Sequence, residues 1–346
     1  MKDLFKHKAE REKLDKDYLL LDEFKGFQPA KKLIEDVASE IDDKDGNFIQ
    51  QFQTTGFDAR LWELFLYSLY KENEFEILSD CDRPDFHLKK MQTELFVEAS
   101  VSNEKVDDIY SAEFIKEALA LNDIAIQNEL VDYYIIRLGS VLFSKLNKKY
   151  WELAWVTGKP LVLAITPFHN YIADFLPDSK IIEYLYGISY KTEIRESGLE
   201  LKENKKLDTH RYKSKEIPSN FFNQENVENI SAVIFTNNCN VHKFNRMGFQ
   251  KGNGDNDIII VRSGIAYDST PKSTGKEFDQ VVKLGEGNED WRESVSVFHN
   301  PNAIHKINKE VFNGMRQLWL NDNGELGGIT PDNFVYNSLT VAAINE

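Results

Sequence analysis

Three acidic residues stand where a carboxylate is either costly or aimed. Glu98 lies within Leu95-Phe96-Val97-Glu98-Ala99-Ser100-Val101, a run otherwise suited to a buried strand. Burying an unpaired carboxylate costs several kcal/mol, so a glutamate there must be paired, bound to a cation or turned toward a cleft. Asp85 follows Pro84 at the start of another strand-like run, where its carboxylate can point off a sheet edge toward a cleft. Glu63 shares a polar stripe with Arg60 and Tyr67, beside the apolar face Phe57-Leu61-Leu64-Phe65 of an amphipathic helix. Each also has an ordinary explanation: a solvated helical glutamate, a turn aspartate, a glutamate on the open face of an edge strand.

Two carboxylates on paired strands and a third on an adjacent helix make an oxygen-donor set for a hard divalent cation. Magnesium suits such a set, because it binds few carboxylates and keeps several waters and substrate oxygens. A metal held this way activates water and offsets charge developing on phosphorus during in-line attack. Other chemistries find less support. The seven histidines are scattered, with no HxxxH or HxH pair. His87, two residues after Asp85 on the same strand face, leaves a metal or supporting role open beside the commoner solvent-facing one. His299-Asn300-Pro301-Asn302 and Lys243-Phe244-Asn245-Arg246-Met247-Gly248 read as structural turns at least as well as loop chemistry. Gly252–Asp257 (GNGDND) reads as a turn and does not match the twelve-residue calcium loop. No G-x-S-x-G, phosphate-cradling Gly-rich loop or GxGxxG appears, so a serine hydrolase, an NTPase and a dehydrogenase are unsupported.

The elements that must carry these residues follow from periodicity. Residues 1–50 read as helical around Leu19, Leu20, Leu21, Phe24, Leu33, Ile34, Val37 and Ile41, and close on a DKDG turn. The amphipathic helix bearing Glu63 comes next. Strands are expected at 75–79, 85–91 and 94–101, the last two close enough to form a hairpin. Residues 106–121 look helical or partly irregular, and 130–152 form a long helix. Residues 161–166 (LVLAIT) form a continuous apolar run of the kind buried on both faces of a sheet. A polar stretch at 191–217 reads as a solvated loop or hairpin, and further strands are expected at 230–236, 258–261 and 295–298. This alternation argues an α/β mixed-sheet protein.

Composition bounds the rest. Of 346 residues, 41% are hydrophobic and 29% charged, the balance of a folded chain. The N-terminus is too polar for a signal peptide, and the longest apolar stretch is far short of a membrane helix. Cys81 and Cys239 share no metal-ligand spacing and read as free thiols of a reducing compartment, so a cytoplasmic location is expected. The net charge of −15, from 57 acidic and 42 basic residues, weighs against a simple nucleic-acid coat. Any nucleic-acid contact should be local or rely on a basic partner.

The order helix, three strands, helix, strand resembles the restriction-endonuclease-like core of the PD-(D/E)XK nuclease superfamily. In that pattern an acidic residue sits on the first helix, an aspartate follows a proline on the second strand, and (D/E)-x-K ends on the third. Glu63, Pro84-Asp85 and Glu98-Ala99-Ser100 fill these places, and the texture of Phe57–Leu64, Pro84-Asp85-Phe86 and Val97-Glu98-Ala99 looks like uncharacterised bacterial members. The resemblance covers about residues 50–170. It implies an αβββαβ core over 51–170, with a helical segment at 1–50 and a C-terminal α/β extension at 171–346 packed on the core. It further implies a Mg2+- or Mn2+-dependent nuclease, catalytic through Glu63, Asp85 and Glu98, acting on DNA rather than RNA, in bacterial defence or DNA processing. A protein partner or homo-oligomer stays open.

The sequence departs from the pattern at the third-strand lysine, which is Ser100 here. Lys145, on the stripe of Leu138 and Leu142, is the candidate replacement, since lysines moved to this helix are a known variation of the superfamily. Arg137 and Lys148 are candidates for holding phosphate. The competing readings are a catalytically inactive nuclease-fold binding or assembly module and, more remotely, a different hydrolase using the same carboxylates.

Overall fold

A computed structural model describes residues 3–41, 46–103, 124–168, 173–195 and 198–345. The N-terminal stretch is helical as expected: α1 (Lys16–Glu23), α2 (Gln28–Ser39), α3 (Phe48–Gln53) and α4 (Phe57–Glu72). Asp15 caps α1 by accepting from the Asp17 and Tyr18 amides. Three strands follow: β1 (Glu76–Leu78), β2 (Phe86–Lys90) and β3 (Thr93–Asn103). Next come α5 (Ile124–Leu146) and β4 (Leu161–Phe168). The helical expectation for 106–121 falls outside the described residues.

The long helix ends six residues earlier than its periodicity suggested, at Leu146 rather than at 152. Lys149 adopts a left-handed backbone (φ 51°), and Tyr150–Glu152 form a 3-10 turn after it. That break redirects Tyr150, with consequences below.

Beyond β4 lie α6 (Asp178–Tyr186), the hairpin β5 (Ile188–Arg195)/β6 (Gly198–Lys206), the hairpin β7 (Thr209–Tyr212)/β8 (Lys215–Pro218), and β9 (Ala232–Phe235). The chain continues with α7 (Val241–Gln250), β10 (Ile258–Ala266), β11 (Lys276–Val282), β12 (Ser296–His299), β13 (Arg316–Leu320), β14 (Leu326–Ile329) and β15 (Val335–Ile344). The main sheet is mixed and eight-stranded, in the order β1-β2-β3-β4-β9-β12-β13-β14. Its centre is parallel: Glu98 of β3 faces Leu163 of β4, and Leu163 faces Val233 of β9. This pairing crosses the boundary drawn at residue 170. Residues from 232 onward extend the same sheet instead of only packing on it.

Alternation along the central strands builds both faces. Val97, Val162, Ala164 and Ile234 join the core with Tyr18, Leu33, Leu61 and Trp62. Phe96, Leu161, Leu163, Ile165 and Val233 join the opposite core with Tyr134, Leu138, Leu142 and Leu185. The Trp62 indole N–H donates to the Ala164 carbonyl at 3.3 Å, fixing α4 to the sheet. Among the described residues, no helix is long and apolar enough to cross a membrane.

The second, three-stranded sheet has the order β11-β10-β15 and joins the rest through a buried ion network. Lys243 and Arg246 of α7 and Arg262 of β10 surround Glu289, all four nearly sealed from solvent. Arg262 also pairs with Glu293, and Arg246 donates to the Thr340 hydroxyl on β15 at 2.6 Å. Burial opposes ionisation of Glu289, yet the three cations hold its carboxyl well below the usual range. Its contribution to stability is therefore present above the ordinary glutamate range and drains away as pH falls below it. Glu289→Gln, which leaves Lys243 and Arg246 without their carboxylate partner, is expected to cost about 3–5 kcal/mol in urea unfolding at pH 7. An unchanged midpoint would mean that the network is not what anchors this sheet.

Candidate functional site

The site lies where β2 begins. The ladder pairs Phe86 with Val97, so β3 runs on past Val97 without β2 beside it. Asp85 fills the gap: its Oδ2 accepts the Ala99 amide at 2.7 Å. An amide that the sheet would leave unsatisfied thereby holds an aspartate opposite Glu98.

Glu98 itself is 3% exposed. Its Oε1 accepts from Lys145 Nζ at 2.5 Å and from the Tyr150 hydroxyl at 2.9 Å. Lys145 reaches it because α5 packs antiparallel along β3; farther up the same helix, Arg137 donates to the Asn103 carbonyl at 3.0 Å. Burial, then the charge of Glu98, push the Tyr150 hydroxyl well above its ordinary value, so it stays a donor. Glu63 on α4 is held by Arg60 at 2.6 Å, an i,i+3 pair, and Arg60 in turn donates to Gln51.

These groups sense one another electrostatically. Burial, then repulsion from Glu98 and Glu63, raise the Asp85 carboxyl from 3.8 to about 7, against the Ala99 amide and Lys145. Burial also raises Glu63, opposed by Arg60, with Glu98 adding to the rise and Lys145 subtracting. Asp85 remains in contact with solvent, on the wall of a cleft of about 610 Å3 that is also lined by Arg60, Glu63, Tyr67 and Lys71. Glu98 and Lys145 lie behind Asp85, outside that lining.

The donor set fits a hard cation in one respect. Among the described residues, one oxygen of each carboxylate is engaged, at Glu63 Oε2, Asp85 Oδ2 and Glu98 Oε1, and no hydrogen bond is made to the other. Ser100, on the same strand face as Glu98, is 7% exposed, and its Oγ has no hydrogen-bond partner among the described residues. The arrangement is nonetheless open. The three carboxylates do not bring their oxygens within 4.8 Å of one another; among the described residues the trio that does so is Asp80, Cys81 and His87.

Of the other candidates, Arg137 lies toward the far end of α5, and Lys148 is exposed just past its C-terminus. Tyr150 was not legible, since one tyrosine after a lysine-rich helix end has no distinguishing pattern. His87 corrects the solvent-facing reading. It is 5% exposed, stacks on Phe96 with ring centroids 4.2 Å apart, and lies between Asp80 and Glu94. Phe86, His87 and Leu88 are all buried, so both faces of β2 are covered here and no open face is left to the histidine.

No family model, curated protein or solved structure matches this chain.

The raised Asp85 carboxyl carries a pH signature in protein free of divalent ions. A folded-state value above the unfolded one favours folding at low pH, and that gain is lost as pH rises from 3.8 toward about 7. Asp85→Asn removes this group's share. Urea midpoints for the wild type, relative to Asp85→Asn, are expected to fall across that window. Parallel midpoint curves would show that Asp85 is not held among repelling carboxylates.

Proposed function

We propose that this chain is a divalent-metal-dependent nuclease that hydrolyses phosphodiester bonds, with DNA as its substrate. The observation that carries this reading is the Lys145–Glu98 contact at 2.5 Å, with Asp85 fixed on the neighbouring backbone at Ala99. Two carboxylates and a lysine thus meet at the start of β2, although the third-strand position of the lysine is taken by Ser100. Asp85 and Glu63 on the cleft wall, with Glu98 behind it, are the residues that would hold magnesium or manganese. A bound ion of that kind supplies a water of lowered pKa and offsets charge on the phosphoryl group.

The chain's own groups have separable parts. Asp85 and Glu98 offer Oδ1 and Oε2 as ligand atoms. Lys145 and Tyr150 both donate to Glu98 Oε1, which fixes the rotamer of that carboxylate. Lys145 is the residue to which this reading gives the orientation of the attacking water. Arg60 and Lys71 are the cations of this cleft, each paired with one of its carboxylates, Glu63 and Glu40, so phosphate would have to be met through the bound metal.

One observation favours the second reading, an inactive nuclease-fold module that binds or assembles. Lys145 already neutralises Glu98, and neither lines the cleft that Asp85 and Glu63 share.

Incubation of the protein with plasmid DNA and Mg2+ or Mn2+ separates the two. Cleavage is expected, with Asp85→Asn and Glu98→Gln each lowering it about 100-fold or more while the thermal midpoint stays close to wild type. Lys145→Met is expected to reduce turnover and leave the Mn2+ affinity nearly unchanged. A folded wild type that cuts neither DNA nor RNA with either metal would leave the binding module standing.

A further inference from the structure

We propose that Asp80, Cys81 and His87 form a second metal site, for a borderline transition-metal ion of the zinc type. One ligand atom from each residue lies within 4.8 Å of the other two. A thiol, an imidazole and a carboxylate together suit zinc or cobalt and not magnesium, whose preference is oxygen alone.

The imidazole supplies the independent observation. Its Nε2 lies 2.8 Å from Glu94 Oε1 and its Nδ1 lies 2.6 Å from Asp80 Oδ1. A neutral imidazole carries one proton, so it can donate to only one of these acceptors. The other nitrogen then presents a lone pair to a carboxylate, a repulsion relieved by a second ring proton or by a cation on that side, and of the two only a metal ion also engages the Cys81 thiol. Glu94 is the firmer partner, since it is also bound by Lys159 and lies on β3, directly in the sheet. That assigns the proton to Nε2 and leaves Nδ1 facing Asp80 and the Cys81 thiol. A histidine whose far N–H is held by a carboxylate while its near nitrogen faces a cation is the arrangement that raises ligand basicity and fixes the ring.

The surroundings match this role. Stacking on Phe96 immobilises the ring, while the Asp80 side chain is 62% exposed and can adjust. A cleft of about 330 Å3, lined by Asp80, Cys81, Asp82, Arg83, His87 and Trp155, leaves the fourth coordination position to water or a small ligand. Trp155 donates to the Arg83 carbonyl at 2.8 Å and braces the same loop. The ion would tie the segment preceding Asp85 to β2, so this site acts on the position of Asp85 and does not depend on the nuclease reading.

The test is titration of the full-length, metal-stripped protein with Co2+, read by absorbance. One equivalent is expected to give a thiolate-to-cobalt charge-transfer band and the visible bands of a tetrahedral site, both bleached by one equivalent of Zn2+ and unaffected by excess Mg2+. Cys81→Ser should abolish the charge-transfer band, whereas Cys239→Ser should keep it. Glu94→Gln should retain the band but weaken cobalt affinity about 10- to 100-fold, which a purely structural role for Glu94 would not do. Asp85→Asn should leave the cobalt spectrum intact whether or not DNA cleavage is lost, so the two sites fail independently. Circular dichroism checks that each variant folds, and Asp80→Asn, expected to weaken affinity with the band retained, serves if Cys81→Ser does not. Absence of a thiolate band in the wild type, or its survival in Cys81→Ser, overturns the site. So does an unchanged affinity in both Glu94→Gln and Asp80→Asn.

Discussion

A glutamate sealed inside the third strand sets the terms for everything around it. A carboxyl group at the depth of Glu98 requires donors, because the interior withholds the water that would otherwise solvate it. Two donors arrive from a single direction, and both depend on how α5 ends. The helix must run back along β3 far enough to lay Lys145 over the carboxylate. It must then break, at the left-handed Lys149, for Tyr150 to turn in beside it. The apolar stripe Tyr134, Leu138, Leu142 and Leu146 determines the first condition, since it fixes which side of the helix meets the sheet. A salt bridge at this depth is weak evidence for stability and stronger evidence for a required geometry.

The opposite edge of β3 imposes the complementary constraint. Because β2 begins at Phe86, the Ala99 amide would be an orphan, and Asp85 satisfies it. The same termination that exposes a backbone donor places a second carboxylate within electrostatic reach of the first. Burial first, and then a repulsion that Lys145 offsets only in part, raise the proton affinity of Asp85. A sheet edge, an orphan amide and a shifted carboxyl are therefore one structural fact seen at three levels.

How much of this the sequence could disclose depended on whether the signal was local. The run LVLAIT announced a strand buried on both faces, and β4 is that strand, alternating its residues between two cores. Glu98 stood out for the same reason, as a charge in an apolar run, and Lys145 followed from its place on a helical stripe. The misses required distant partners. Residues 258–261 looked like the whole strand because Arg262 reads as a break, but β10 continues to Ala266 since Glu289 and Glu293 neutralise that arginine. His87 looked exposed because nothing nearby in sequence shows that Phe96 covers it. The sheet continues past residue 170 because β9, some sixty residues later, pairs in parallel with β4. Period and composition carry no record of such a return.

The loop from Ser79 to Asp85 is where these threads meet, and its donors are sorted by kind. Asp85 faces Glu98 and Glu63, an all-oxygen environment that only a hard cation suits. Five residues earlier, Asp80 faces a thiol and an imidazole, a mixture that a hard cation leaves to softer ions. The sorting follows from strand geometry. Asp85 is spent on the β3 amide at the end of the ladder, while His87, two residues into β2, is turned under Phe96 and toward Glu94. Since both sets share one short loop, the order of one is mechanically tied to the other: whatever steadies Asp80 and Cys81 against His87 also limits where the Asp85 carboxylate can go. Trp155, by holding the Arg83 carbonyl, adds a third restraint from the α5 side of the sheet. A carboxylate whose proton affinity is already raised by its neighbours needs that restraint most, because repulsion would otherwise swing it toward solvent and free the Ala99 amide.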